Sequence, residues 1–189
     1  MLATGTTARI LDTALTALQE RSDWRRVLNE LPVPVYTTDV EGAVTHWNAA
    51  CVDLVGRQPR AGQDRWCVTW KLYSMSGEPM PHADCPMARA IRERREIRNE
   101  VVIAERPDGR RVACRVFPTP FFNEQGAFDG AVNLFIDVTH EKAAELAEQA
   151  ARCRRLARAT TDCEASEILA EMAHDYEASA ATLMSRDRH

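Results

Sequence analysis

The chain has 189 residues, of which 45% are hydrophobic, so it can bury the core of one domain with extensions or of two very small domains. Its formal net charge of -4 and pI of about 5.8 argue against a protein that binds nucleic acid through a basic surface. The first 24 residues lack the charged start and apolar run of a signal peptide, and no run of 18 apolar residues predicts a membrane span. We therefore expect a cytoplasmic protein that binds neither nucleic acid nor a membrane.

The six cysteines, at positions 51, 67, 85, 114, 153 and 163, form no CxxC pair and show no zinc-finger spacing. In a reducing compartment such thiols stay free. The sequence also shows no Ser-His-Asp arrangement, no paired carboxylates in a catalytic context and no metal-ligand spacing. It therefore predicts reduced cysteines, no metal site and no enzyme.

Residues 7–22 predict the first helix, which ends before the LPVP stretch because proline disfavours helical backbone in the residue before it. The apolar stripe of this helix is narrow, which suits packing against another helix. The residues at helical spacing are Ile10, Leu11, Ala14, Leu15 and Leu18.

Beyond this helix, and up to about residue 140, the apolar periodicity changes to that of strands and short helices. VPVYTTD and GAVTHWN predict two strands, and AACVDLVG predicts a short helix that Gly56 closes. The stretch 59–81 is rich in loop residues, and DCPMARAIRERREI predicts a second helix with Asp84 as its N-cap and Pro86 in its first turn. REIRNEVVIAERPDGRRVACRVFPTPFF predicts a hairpin with PDG as its turn, and EQGAFDGAVNLFIDV predicts a last strand.

The last third of the chain predicts two helices, broken near residues 160–162. The first begins at Thr139 and has a coiled-coil seam, and the second is amphipathic and covers about residues 163–184. His174, followed by an acid, superficially resembles the phosphoacceptor of a sensor kinase, but we expect it at a surface or helix interface because the sequence has no Gly-rich phosphate loop. The residues of the seam are Ala143, Leu146, Ala150, Cys153 and Ala157.

Three stretches in a fixed order resemble a PAS sensor domain over roughly residues 25–140: GAVTHWNAACVDLVG, RPDGR and FPTPFFNEQGAFDGAVNLFIDVT. The resemblance implies an α+β fold, in which a five-stranded antiparallel sheet carries helices on one face and a small pocket between sheet and helices. Together with the terminal helices predicted from the apolar spacing, this gives an N-terminal amphipathic helix at 1–24, the PAS domain at 25–138, and a signalling helix and a second helix at 139–189. The matching positions are Gly42, Trp47, Asn48, Ala50, Leu54, Gly56, Asp108, Gly109, Pro120, Gly126, Gly130, Asp137 and Thr139.

On the layout of this family, Asp137 and Thr139 are expected to couple the last strand to the signalling helix, with Thr139 as the N-cap of that helix. The HADCP stretch has two readings. It begins the helix that forms a wall of the pocket, or Cys85 offers an axial ligand to a haem, with His82 or His46 as a second ligand. Flavin is argued against because the Asn-Cys-Arg-Phe-Leu-Gln stretch shared by light-sensing flavin PAS domains is absent. The pocket candidates are Trp66, Trp70, His82, Cys85, Ile91 and Asn133.

Each of these candidates also has a structural reading: the tryptophans pack over the core, the arginines of ARAIRERREIR form a solvated helix face, and Asn133 points outward. The leading hypothesis is a non-enzymatic sensor or adaptor that dimerises through its terminal helices. It relays a ligand or partner signal to a separate protein, such as a histidine kinase or transcriptional regulator. The alternatives are a haem-based gas or redox sensor and a structural interaction module without a ligand.

Overall fold

The computed structural model describes residues 4–20 and 23–185. These residues form six α-helices and seven strands, and a single 3-10 turn, His82–Asp84, lies between the fourth strand and the fourth helix. The helices are α1 (Thr4–Glu20), α2 (Trp24–Glu30), α3 (Ala49–Val55), α4 (Pro86–Glu93), α5 (Thr139–Ala159) and α6 (Cys163–Met184). The strands are β1 (Val35–Thr38), β2 (Val44–Trp47), β3 (Lys71–Tyr73), β4 (Pro79–Met80), β5 (Glu100–Glu105), β6 (Arg111–Phe122) and β7 (Phe128–Asp137).

The strands form one antiparallel sheet in the order β2-β1-β7-β6-β5-β3-β4. The sheet therefore has seven strands and not the expected five, because the loop-rich stretch contributes the short hairpin β3–β4 at one edge. Ser74 and Glu78 close that hairpin through a backbone hydrogen bond of 2.9 Å, with Gly77 at φ 85°. Strands of three and two residues are too short to show an alternating pattern, so the sequence did not indicate them.

Alternation along the strands divides the core between the two faces of the sheet. On β6, Val112, Cys114 and Val116 face the inner side, where α3 and α4 cover the sheet. Ala113 and Phe117 face the outer side. The pocket that the family resemblance implied is therefore to be sought on the inner face.

The outer face of the sheet is covered by the terminal helices of the same chain. The apolar stripe of α1, including Leu11 and Ala14, packs against α2 and against Phe117 of the sheet. The seam of α5 packs against α6, and this α5–α6 hairpin covers the sheet near Ala113. The apolar stripe of α1 and the seam of α5, which were expected to pack against another helix, are thus both covered by other parts of the same chain. No helix within residues 4–20 and 23–185 is both long and apolar enough to cross a membrane.

Asn48 fixes the segment that enters the sheet. Its side-chain oxygen accepts hydrogen bonds from the backbone N–H groups of Cys51 at 3.0 Å and Val35 at 3.2 Å, so it caps α3 and binds β1 at once. Its amide nitrogen donates to the carbonyls of Leu28, Leu31 and Val33 at 2.9–3.3 Å. The side chain is buried, and every one of these bonds replaces water that it cannot reach.

Candidate functional site

A small cavity lies between α4 and the inner face of the sheet. About 20 Å³ of it is open to the centre of a water molecule, which is room for about one water. None of the described residues that line it is charged, and most are apolar. The lining residues used below are Tyr36, Cys67, Cys85, Cys114, Asn133 and Phe135.

The polar atoms at the cavity wall bind one another. The Tyr36 hydroxyl donates to the backbone carbonyl of Trp66 at 2.8 Å and accepts from the Asn133 amide at 3.4 Å. The Asn133 oxygen accepts the backbone N–H of Phe117 at 3.0 Å. Burial raises the pKa of the Tyr36 phenol, so it stays neutral. The wall is therefore a satisfied, uncharged network.

Two of the predicted pocket residues, Cys85 and Asn133, line this cavity, and the structure brings them together across it. Ile91 is buried in the same core but is not part of the lining. Trp70 is 52% exposed and lies in a shallow surface groove beside β3 and β4.

Trp66 and His82 also lie beside the cavity and not in its lining. The Trp66 indole lies against Gly42, where a β-carbon would come within 2.3 Å of its Nε1 atom. His82 is half-buried, with Nε2 3.4 Å from the hydroxyl of Thr69. Thr69 in turn contacts the Cys67 thiol at 3.1 Å, so His82 belongs to the outer surroundings of that thiol.

The sequence reading missed the residues that complete the lining, among them Tyr36, Cys67, Cys114 and Phe135. For Tyr36, the pairing of the strands would have indicated that the side chain faces the cavity. Tyr36 on β1 is paired with Asn133 on β7, so an inward Asn133 requires an inward Tyr36. Cys67 lies in the irregular segment before β3, where no periodicity indicates which way a side chain points.

The N-cap of α4 is Cys85 and not Asp84, which is exposed within the 3-10 turn. The Cys85 thiol accepts the backbone N–H of Ala88 at 3.4 Å, while Pro86 occupies the first turn as expected. The predicted N-cap was wrong by one residue because the 3-10 turn His82–Asp84 includes Asp84, so that α4 begins one residue later than predicted. The HADCP stretch nevertheless begins the helix that forms a wall of the cavity.

α4 ends at Glu93, four residues before the predicted end, because Arg94 adopts left-handed backbone at φ 51°. The arginines of this region bind within the chain. Arg89 pairs with Glu100, and Arg92 donates to the carbonyl of Ala83 at 2.6 Å. These arginines therefore do not converge on one anion site.

The thiols of Cys67 and Cys85 both line the cavity wall, and each shifts the pKa of the other. Cys85, as a hydrogen-bond donor, lowers the pKa of the Cys67 thiol against the opposing effect of burial, and His82 and the Thr69 hydroxyl act in the same direction. Cys67 raises the pKa of Cys85, and burial adds to this effect. Cys67 is therefore the more acidic thiol of the pair.

A haem or flavin does not fit this cavity as the residues are arranged. The space holds about one water, whereas both groups need several hundred cubic ångströms. The residues considered as haem ligands also do not converge. Cys85 caps α4, His82 stands outside the lining, and His46 also lies outside it, with Nε2 3.2 Å from the side-chain oxygen of Asn29. In the part of the chain that the structure describes, no group of three or more His, Cys, Asp and Glu side chains is placed to hold a metal ion.

The junction between β7 and α5 is bound to β6 at Ala113. Val138 donates its backbone N–H to the Ala113 carbonyl at 2.8 Å, and the Ala113 N–H donates to the Thr139 hydroxyl at 3.0 Å. Asp137 accepts the Thr139 N–H at 2.8 Å. The prediction that Thr139 is the N-cap was wrong: Val138 holds that position, and the Thr139 side chain continues the sheet ladder instead.

His174 is exposed on α6, away from the cavity. It makes no contribution to the candidate site.

Comparisons with known proteins agree with this geometry. A family model described as the PAS fold matches residues 28–143. No curated protein gives a significant match to the sequence. Among solved structures, the chain is similar to the PAS domain of Bordetella pertussis BvgS, with 20% identity, TM-score 0.42, and 62% of this chain and 84% of that chain covered.

It is also similar to the Rhodobacter sphaeroides LOV protein, with 18% identity, TM-score 0.48, and 83% and 90% covered. A third similar structure is the LOV domain of the blue-light-activated histidine kinase EL346 from Erythrobacter litoralis, with 18% identity, TM-score 0.43, and 57% and 97% covered. The family match spans more than half of the sequence and coincides with the sheet, its inner helices and the cavity. The chain belongs to the PAS family, whose domains are signal-sensing modules.

Proposed function

We propose that this chain is a non-enzymatic PAS sensor whose cavity receives a signal and whose α5–α6 hairpin passes it on. One observation carries the proposal: two neighbouring residues of β6 contact the cavity and the start of α5, one on each face of the sheet. Cys114 lines the cavity, and Ala113 on the opposite face holds the start of α5 through both of its backbone groups. A shift of β6 at the cavity therefore moves the anchor of α5.

The relay then works as a shift between two arrangements of α5. The ionic contact of Arg115 with Glu141 adds a side-chain bond from the next residue of β6 to the first turn of α5. A ligand that favours one arrangement shifts the population toward it by its difference in affinity for the two. The roles assigned to Asp137 and Thr139 are part of this proposal.

The ligand that suits this site is small and uncharged. A charged ligand would lose its hydration without meeting a counter-charge among the lining residues. The small volume also supports a second candidate, a structural interaction module whose core is filled by its own side chains. Native mass spectrometry of the purified chain separates the two, because only the sensor retains or takes up a small molecule.

The relay is tested by filling the cavity with one methylene group through Val116→Ile. Val116 lines the cavity on β6, so the change imitates a ligand there. We expect altered amide hydrogen exchange in residues 138–146. Val132→Ile on the outer face of β7 adds the same group away from the cavity and serves as the control. A response of Val116→Ile that stays within the cavity wall contradicts the relay.

We further propose that the chain forms a homodimer through the α5–α6 hairpin. Leu156, Ile168 and Met172 are 48%, 52% and 41% exposed on it. Around them, α5 carries four arginines and no acid from residue 150 to 159, while α6 carries five acids and no lysine or arginine from 163 to 177. A surface with one basic and one acidic half is complementary to its own copy across a two-fold axis.

Light scattering at micromolar concentration is expected to give about twice 21.2 kDa. The double variant Leu156→Glu/Ile168→Glu should be a monomer with unchanged circular dichroism. Val40→Glu, at an equally exposed apolar residue in the β1–β2 turn, is the matched control and should stay dimeric. A monomeric wild-type chain rejects the dimer. The protein that takes up the signal is proposed to be a separate histidine kinase or transcriptional regulator.

A further inference from the structure

Two cysteines from different segments of the chain meet at the cavity. Cys67 lies in the segment before β3, and Cys85 caps α4 on the other side. Both thiols line the cavity, and the Cys85 sulfur is 3.9 Å from the carbonyl oxygen of Trp66, the residue directly before Cys67. Two thiols that the sequence separates by 18 positions therefore meet at one cavity wall.

Both thiols face a space that admits one small molecule. Each lines the cavity, whose open volume of about 20 Å³ holds about one water. Hydrogen peroxide is only slightly larger than water and equally uncharged. The lining is therefore open to a small peroxide and closed to a bulky oxidant or to a second protein thiol.

The surroundings give the two sulfurs different reactivity. The thiolate is the reactive form of a cysteine, and Cys85, His82 and the Thr69 hydroxyl lower the pKa of the Cys67 thiol against the effect of burial. Cys67 and burial raise the pKa of Cys85, so Cys67 is the first of the two thiols to ionise and react. After Cys67 has reacted, the N–H of Ala88 at the start of α4 stabilises a thiolate on Cys85.

We propose that Cys67 and Cys85 form an oxidation site at which a small peroxide produces a reversible intramolecular disulfide. The Cys67 thiolate attacks one peroxide oxygen, the O–O bond breaks, and hydroxide leaves, so that Cys67 becomes a sulfenic acid. The Cys85 sulfur gives up its proton and attacks the Cys67 sulfur, forming the S–S bond and breaking the S–O bond. In total the two thiols lose two protons and two electrons, and the peroxide is reduced to two waters.

The other buried cysteines of the inner core lack these features. Burial raises the pKa of Cys114 and of Cys51, so both thiols stay protonated. The Cys114 thiol donates to the carbonyl of Val112 at 3.7 Å. The site therefore distinguishes one pair of thiols within a core that holds four. The disulfide ties the segment before β3 to the first turn of α4 and makes the wall of the cavity rigid.

The test uses the full chain carrying Cys163→Ser, which removes the exposed thiol of α6. The reduced protein is treated with hydrogen peroxide, its remaining thiols are alkylated, and it is digested with trypsin. Cleavage after Lys71 places Cys67 and Cys85 in separate peptides. We expect these two peptides joined, with a mass lower by two hydrogens, and released again by dithiothreitol.

Two variants assign the roles. In Cys85→Ser, dimedone should label a sulfenic acid at Cys67, because no second thiol removes it. Cys67→Ser should give neither label nor cross-link. Cys51→Ser, at a buried cysteine outside the cavity lining, is the control and should cross-link as the parent does. If the proposal is wrong, no joined peptides are found, or the peptides that are joined contain other cysteines. Equal reaction of all buried thiols only after unfolding likewise overturns it. If circular dichroism shows that a variant does not fold, the peptide mapping of the parent protein still tests the proposal.

Discussion

Thr139→Val isolates the hydroxyl group that binds the start of α5 to the sheet. Valine keeps the shape of threonine but cannot accept the N–H of Ala113, which then has no partner. Thr139 is 8% exposed and Ala113 is 0% exposed, so water does not replace the lost acceptor. An unpaired buried donor costs roughly 1–3 kcal/mol. For a chain of this size, about 2 kcal/mol lowers Tm by about 4–8 °C.

The assay is urea or thermal unfolding followed by circular dichroism, with the m-value checked to be unchanged. Thr139→Ser is the matched control, since it keeps the hydroxyl and loses one methyl, at a cost of about 1 kcal/mol. The reasoning is refuted if Thr139→Val is as stable as the parent chain, or if the serine variant loses as much as the valine variant. In either case the hydroxyl does not complete the ladder.

Three further predictions concern single residues. Asn48→Ala removes five hydrogen bonds, four of them buried, and should cost at least ~3 kcal/mol in urea unfolding, and a smaller loss would show that the bonds are replaced. Gly42→Ala, at φ 85°, should destabilise the chain and change the fluorescence of Trp66, whereas Gly77→Ala, also at φ 85° but facing open space, should show backbone strain alone. Burial raises the pKa of Glu105, but hydrogen bonds from Lys71, Tyr73 and Arg111 outweigh burial and lower that pKa. The stability that the Glu105 carboxylate adds is therefore present above its unfolded pKa and is lost as the pH falls through its folded pKa. Glu105→Gln should flatten this loss in acid melts, and an unchanged acid profile would show that Glu105 does not contribute.

The sequence by itself determined the elements whose signals are local. Strands β1, β2, β5, β6 and β7 follow alternation and turn chemistry, and the helices other than α2, which the sequence did not indicate, follow apolar spacing and Pro or Gly at their ends. The same local signals, in their order, carried the resemblance to the PAS family, which the family match confirmed. Gly56 shows why: its left-handed φ of 68° closes α3, and the preference of glycine for that backbone conformation is visible in the sequence.

Only the tertiary structure decided which residues meet. Cys67 and Cys85 line one cavity because an irregular segment returns to α4, and no periodicity describes such a segment. The apolar stripe of α1 and the seam of α5 looked unpaired in the sequence, yet each is covered by the chain's own sheet or helices, since amphipathicity shows that a face is buried but not against what. The Thr139 hydroxyl was assigned to a helix cap because capping is a local pattern, whereas its partner, Ala113, lies 26 residues away along the chain and beside it in the sheet.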